Sequence, residues 1–172
     1  MKNNDHYWGA VMDVCIKGFN RNEASELTGM TYRQIAYLDR QGLVESFRWD
    51  VGHNSVSLLS WQQLLQLRAI AKLRKVISLQ TIRKVLAFIE EHFEDSKLFD
   101  KSLIVIDNEV YWLEPENLVG VMLKVSGKNS GQFTSTILTL KDERDSLIEA
   151  AKQSKVIPLE EVEKRANVKL VA

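Results

Sequence analysis

The sequence predicts a mostly α-helical chain with an α+β part, and three observations predict it. Two short capped helices, each ended by a glycine, fall within residues 20–42. Two longer amphipathic helical stretches cover residues 61–93. After Asp95 the pattern changes to β-branched runs separated by turns. The composition suits such a fold: 45% of the 172 residues are hydrophobic and 27% charged, close to the ordinary globular mix.

The elements follow in order. Asn20 is an N-cap with Glu23 at the capping-box position, so residues 21–28 form a helix and Gly29 ends it. Thr31 caps a second helix, 32–40, with Ile35 and Leu38 on one side, and Gly42 ends it. Two short helices joined by a tight Gly-containing turn are the signature of a helix-turn-helix, although any helical hairpin gives the same spacing. Val44, Phe47, Val56 and Leu58 favour strand around a turn at 50–54. A two-stranded hairpin after a helix-turn-helix is a wing. Ser60 with Gln63 starts a helix over 61–76, and Ser78 starts another over 79–93. Residues 102–106 and 110–113 form a hairpin across 107–109. Pro115 opens a helix over 116–125, residues 133–139 are strand, and 140–153 are helix. The predicted architecture is thus a winged helix-turn-helix N-terminal domain followed by a small β-β-α-β-α C-terminal domain. Its boundaries are 1–95 (core 18–92), 96–153 for a dimerisation or effector domain, and 154–172 for a C-terminal tail.

Charge divides the chain. The formal net charge is zero, yet residues 17–84 carry 11 basic and 5 acidic side chains, whereas residues 85–172 carry 11 and 16. A basic block favours phosphate backbones through counterion release, and is equally a solvated surface. No apolar run approaches the length of a membrane span, and the N-terminus lacks a signal-peptide pattern. A cytoplasmic, nucleoid-associated protein is expected. The single cysteine, Cys15, excludes a disulfide framework and reads as a small buried hydrophobe. His6, His53 and His92 are not at ligand spacing, so neither metal nor other cofactor is expected. No catalytic triad pattern or Gly-rich phosphate loop is present, so no enzyme is expected.

The run EASELTGMTYRQIAYLDRQGLVESFR at 23–48, the hairpin with Gly52, and SWQQLLQLRAIAKLRKVISLQTIRKVL at 60–86 together resemble the DNA-binding domain of the MerR family of transcription regulators. The resemblance spans about residues 18–92. The closest echo is a subgroup with a short α+β C-terminal domain. It is matched by the stretch Arg33 to Val44, and in the second half by Val110-Tyr111 and Gly131-Gln132. Ala36, Tyr37 and Leu38 stand where the wider family usually has Arg, Tyr or His, and Tyr.

The resemblance implies a sequence-specific regulator that binds double-stranded promoter DNA as a homodimer, distorts it between half-sites, and has RNA polymerase as a candidate partner. The second helix would then enter the major groove. Arg33 is the candidate for a guanine edge, the alternative being a surface ion pair with Glu26 or another acid. Thr31, Tyr32, Gln34 and Arg40 reach bases or phosphates from the same helix, unless Thr31 only caps. Tyr37 donates to a phosphate or packs as an aromatic. Arg48, His53, Asn54 and Ser55 offer hairpin contacts, and Lys17 and Arg21 are candidate phosphate anchors. Two other readings stay open. One is a phage or plasmid architectural or packaging protein on the same fold. The other is an antitoxin-like module whose acidic half binds a basic partner.

Overall fold

In a computed structural model of the chain, the structure describes residues 18–51, 54–93, 97–106, 109–113, 122–126, 135–140 and 142–167. Among them are six α-helices, one 3₁₀ turn and two small antiparallel sheets. They fall into two compact units. The first holds the described residues up to Arg68 together with those from Asp145 onward, and the second runs from Ala69 to Arg144.

The first unit begins with β1 (Phe19–Asn20), α1 (Arg21–Thr28) and α2 (Tyr32–Arg40). Both helices are too short to be stable alone. Their ends are set by side chains. The Asn20 carboxamide oxygen accepts from the Asn22 and Glu23 amides, while a Glu23 oxygen accepts from the Asn20 amide at 2.9 Å. Thr31 and Gln34 form the same reciprocal box at the start of α2. Gly29 leaves α1 in the left-handed region at φ 72°. At the end of α2, the Gly42 amide donates to Asp39 and the Leu43 amide to Leu38, a Schellman pattern that needs the φ of 67° at Gly42. Burial of Ala24, Leu27, Ile35 and Leu38 then holds the pair in place.

A Cβ at Gly42 would meet only the flexible end of Glu45, at 3.6 Å. The cost of Gly42→Ala is therefore backbone strain alone, about 1 kcal/mol. Urea unfolding checks this, and an unchanged midpoint would contradict it.

Strands β2 (Phe47–Val51) and β3 (Asn54–Leu59) pair antiparallel, with Arg48 opposite Ser57 and Phe47 opposite Leu58. Successive residues face opposite sides of the ribbon. Leu58 is buried on one side, and Arg48, Ser55 and Ser57 share the other. β1 completes the sheet by pairing with β3, Phe19 against Leu59. Helix α3 (Trp61–Leu73) starts at a Ser60–Gln63 box, and its Trp61 packs tilted on Phe19 at 6.2 Å. α3 ends three residues before the expected Val76. There the Lys75 and Val76 amides bond three residues back rather than four, tightening the last turn.

The second unit contains α4 (Leu79–His92), capped by Ser78, and β4 (Ser102–Ile106), β5 (Glu109–Leu113), β6 (Met122–Ser126) and β7 (Ser135–Thr139). The strand order is β6-β5-β4-β7, all antiparallel. Leu103, Val105 and Val110 are buried. The helix expected over 116–125 is corrected here: residues 122–125 lie in β6, hydrogen-bonded along β5, and residues 116–121 lie outside the described residues. Pairing with a neighbour outweighs the local helical pattern.

The first unit closes with α5 (Glu143–Gln153), most of which lies in it, and α6 (Leu159–Ala166). The segment expected to be a tail thus carries a helix. Ile157 and Val162 from it are buried, and Arg165 is drawn onto α1. Among the described residues no helix is long and apolar enough to cross a membrane.

Candidate nucleic-acid interface

The exposed stripe of α2 follows from its buried one. Ile35, Leu38 and Asp39 face inward, so Arg33, Tyr37 and Arg40, at three- and four-residue spacings, face solvent, and Tyr32 is exposed in the first turn. Tyr32 is 49% exposed and Tyr37 41%, so neither is a packed core aromatic. Arg33 is exposed. Thr31 and Gln34 are exposed but engaged with each other in the cap, where Gln34 Oε1 accepts from the Thr31 amide and hydroxyl at 2.8 and 3.1 Å.

Beside this stripe the hairpin face closes a groove lined by Arg21, Ala36, Arg40, Arg48, Ser55 and Ser57. Three guanidiniums and two hydroxyls around one concavity have the composition to suit an anion. The sequence-predicted residues Arg21, Arg40, Arg48 and Ser55 meet here. Arg33 and Tyr37 do not line the groove and lie on the exposed face of the same helix. Asn54 is in β3, whereas Lys17 and His53 lie outside the described residues.

The groove rests on a buried network that sequence reasoning missed. The Asp39 side chain is 5% exposed. Its Oδ2 accepts from Arg21 at 2.5 Å and from the Ser46 hydroxyl at 2.6 Å, and its Oδ1 accepts from the Ser46 amide at 3.0 Å. Ser46 Oγ also meets Ser57 Oγ at 2.5 Å. One carboxylate therefore ties α1 and α2 to Ser46, the residue before β2, and through Ser46 to Ser57 of β3. Burial pushes the Asp39 carboxyl up, but the Ser46 hydroxyl, the Ser46 amide and Arg21 outweigh it and hold Asp39 below its ordinary value. Burial likewise works against the Arg21 charge, while hydrogen bonds to Tyr32 and Asp39 raise its pKa further. Arg21 also lies over the Tyr32 ring at 5.6 Å. Its Nε is buried without a hydrogen-bond partner among the described residues. The available signal in the sequence was an acidic residue next to Leu38 on the inward side of α2.

α1 is braced at its far end as well. Arg68 of α3 donates to the Leu27 and Thr28 carbonyls at 3.3 and 3.2 Å, capping acceptors that the helix leaves open.

Comparison with known proteins bears on the same region. No curated protein matches the chain. Residues 19–89 match the family described as MerR HTH family regulatory protein. The match runs from β1 through the helix pair and hairpin into α4. The likeness to the MerR HTH family of regulatory proteins therefore covers this helix pair and hairpin, 71 of the 172 residues.

Proposed function

We propose that the chain is a sequence-specific DNA-binding transcription regulator. A MerR-type helix-turn-helix points to DNA-binding regulation. The observation that carries the finer reading is the exposed Arg33, Tyr37, Arg40 stripe of α2, with Tyr32 in its first turn, beside the arginine groove. In this reading α2 enters the major groove and Arg33 bonds a guanine edge with two donors. The β2–β3 hairpin acts as the wing. A backbone phosphate sits against Arg21, Arg40 and Arg48, which fixes register without reading sequence.

One recognition helix covers too few base pairs for high specificity, so a homodimer on a pseudo-palindromic site is proposed, with distortion of the intervening DNA adding indirect readout. The second unit would serve dimerisation or effector sensing, RNA polymerase is a candidate partner, and the working compartment is the cytoplasm.

Binding across a salt series tests the phosphate part. Arg48 is exposed and lines the groove. Arg48→Ala is expected to weaken binding alike on every DNA sequence and to reduce the slope of log K against log salt by about 1. An unchanged slope would remove Arg48 from the phosphate contacts.

A further inference from the structure

The groove depends on where Arg21 stands, and Arg21 is the first residue of α1. The residues on either side of it are held by one side chain from far along the sequence. Arg165 of α6 donates from Nη1 to the Gly18 carbonyl at 3.0 Å and to both Glu23 oxygens at 3.2 and 3.1 Å. Its guanidinium lies over the Phe19 ring at 5.7 Å. Both ends of the ion pair are largely buried, Arg165 at 14% exposure and Glu23 at 13%. Glu23 is the capping-box carboxylate of α1, so the same group orders the first helical turn and receives Arg165. Phe19 is the β1 residue that pairs with Leu59 of the hairpin. Arg165 is itself oriented by Glu161, whose Oε2 accepts from its Nε at 3.2 Å.

We infer that Arg165 is a positioning residue for DNA binding: by clamping Gly18, Phe19 and Glu23, it sets Arg21 in the phosphate groove and makes α6 part of the DNA-binding unit. The physical reason is reach. A planar guanidinium serves a carbonyl, a carboxylate and a ring face together, whereas the single ammonium of a lysine does not. Arg165 does not line the groove, so it acts through Arg21 rather than on the phosphate.

The inference rests on the proposed DNA reading, and its test separates the two. The full-length chain and its Arg165→Ala and Arg165→Lys variants are assayed for binding to a selected DNA site across a salt series. The Asp39 carboxyl is titrated by NMR in each. Thermal melts fix a temperature at which all are folded. The expected result for Arg165→Ala is about tenfold weaker binding with a salt slope smaller by up to about 1, because Arg21 leaves the phosphate. Asp39 should then titrate higher than in the parent, because Arg21 has moved away from it. Arg165→Lys should fall between the two. If the parent binds DNA and the variants bind equally well, the inference is wrong. Weaker binding with Asp39 titrating as in the parent would leave Arg21 in place and also overturn it. If the parent binds no DNA, the functional reading fails, and the Asp39 titration alone decides: an unchanged value in Arg165→Ala overturns the clamp, and a raised value upholds it.

Discussion

Replacing Asp39 by Ala is expected to destabilise the first unit by about 3 kcal/mol, because removing one partner of a buried ion pair strands the other. The stranded groups are specific. Arg21 loses its carboxylate, and the Ser46 amide and hydroxyl lose their acceptor. The contribution depends on pH with a defined sign. Asp39 ionises more readily in the folded chain than in the unfolded one. Its stabilisation is therefore complete above the ordinary carboxylate value, near 4, and is lost as pH falls through the lower folded value. Asp39→Asn keeps the shape and removes the charge, so its stability should no longer decline with acid in that window on account of this residue. Urea unfolding at pH 7 and across the acid range checks both. Equal midpoints for Asp39→Ala and the parent at pH 7 would show that the network carries no net stability.

Arg33→Ala is expected to lose about 1–3 kcal/mol of binding on the cognate site and to relax preference at one base position, as the loss of a bidentate guanine contact would. Stability should stay within about 0.5 kcal/mol, since Arg33 is exposed and away from the Asp39 network. This contrasts with Asp39, where stability falls first. Competition with base-substituted sites checks the specificity term. Uniform loss across all sites would reassign Arg33 to the phosphate backbone.

The sequence made the helix pair legible because its limits are set by neighbours in the chain. Asn20 with Glu23, Thr31 with Gln34, and the left-handed Gly29 and Gly42 act over three or four residues, and each is where the residue pattern puts it. Features that depend on distant partners were not legible. β6 forms by pairing with β5, which nothing in 122–126 announces. α6 has little apolar surface of its own, and its anchor is Arg165 meeting Glu23, 142 residues away. The candidate site divides in the same way. The exposed Arg and Tyr residues of α2 follow from helical periodicity. The groove, by contrast, needed the fold to bring Arg21 and Arg40 to the hairpin face of Arg48 and Ser57. Asp39 shows in sequence only as an acidic residue on the inward side of α2, and its partners Arg21 and Ser46 are set by the fold.

The central claim, that α2 reads DNA sequence, is tested most directly by capture of genomic DNA fragments on the purified full-length chain and its Arg33→Ala variant at one stated salt concentration. The account predicts a few sharp sites at promoters sharing an inverted repeat, lost with Arg33→Ala. Diffuse, salt-sensitive capture that Arg33→Ala leaves unchanged would contradict it, and would restrict the basic unit to contacts with the phosphate backbone.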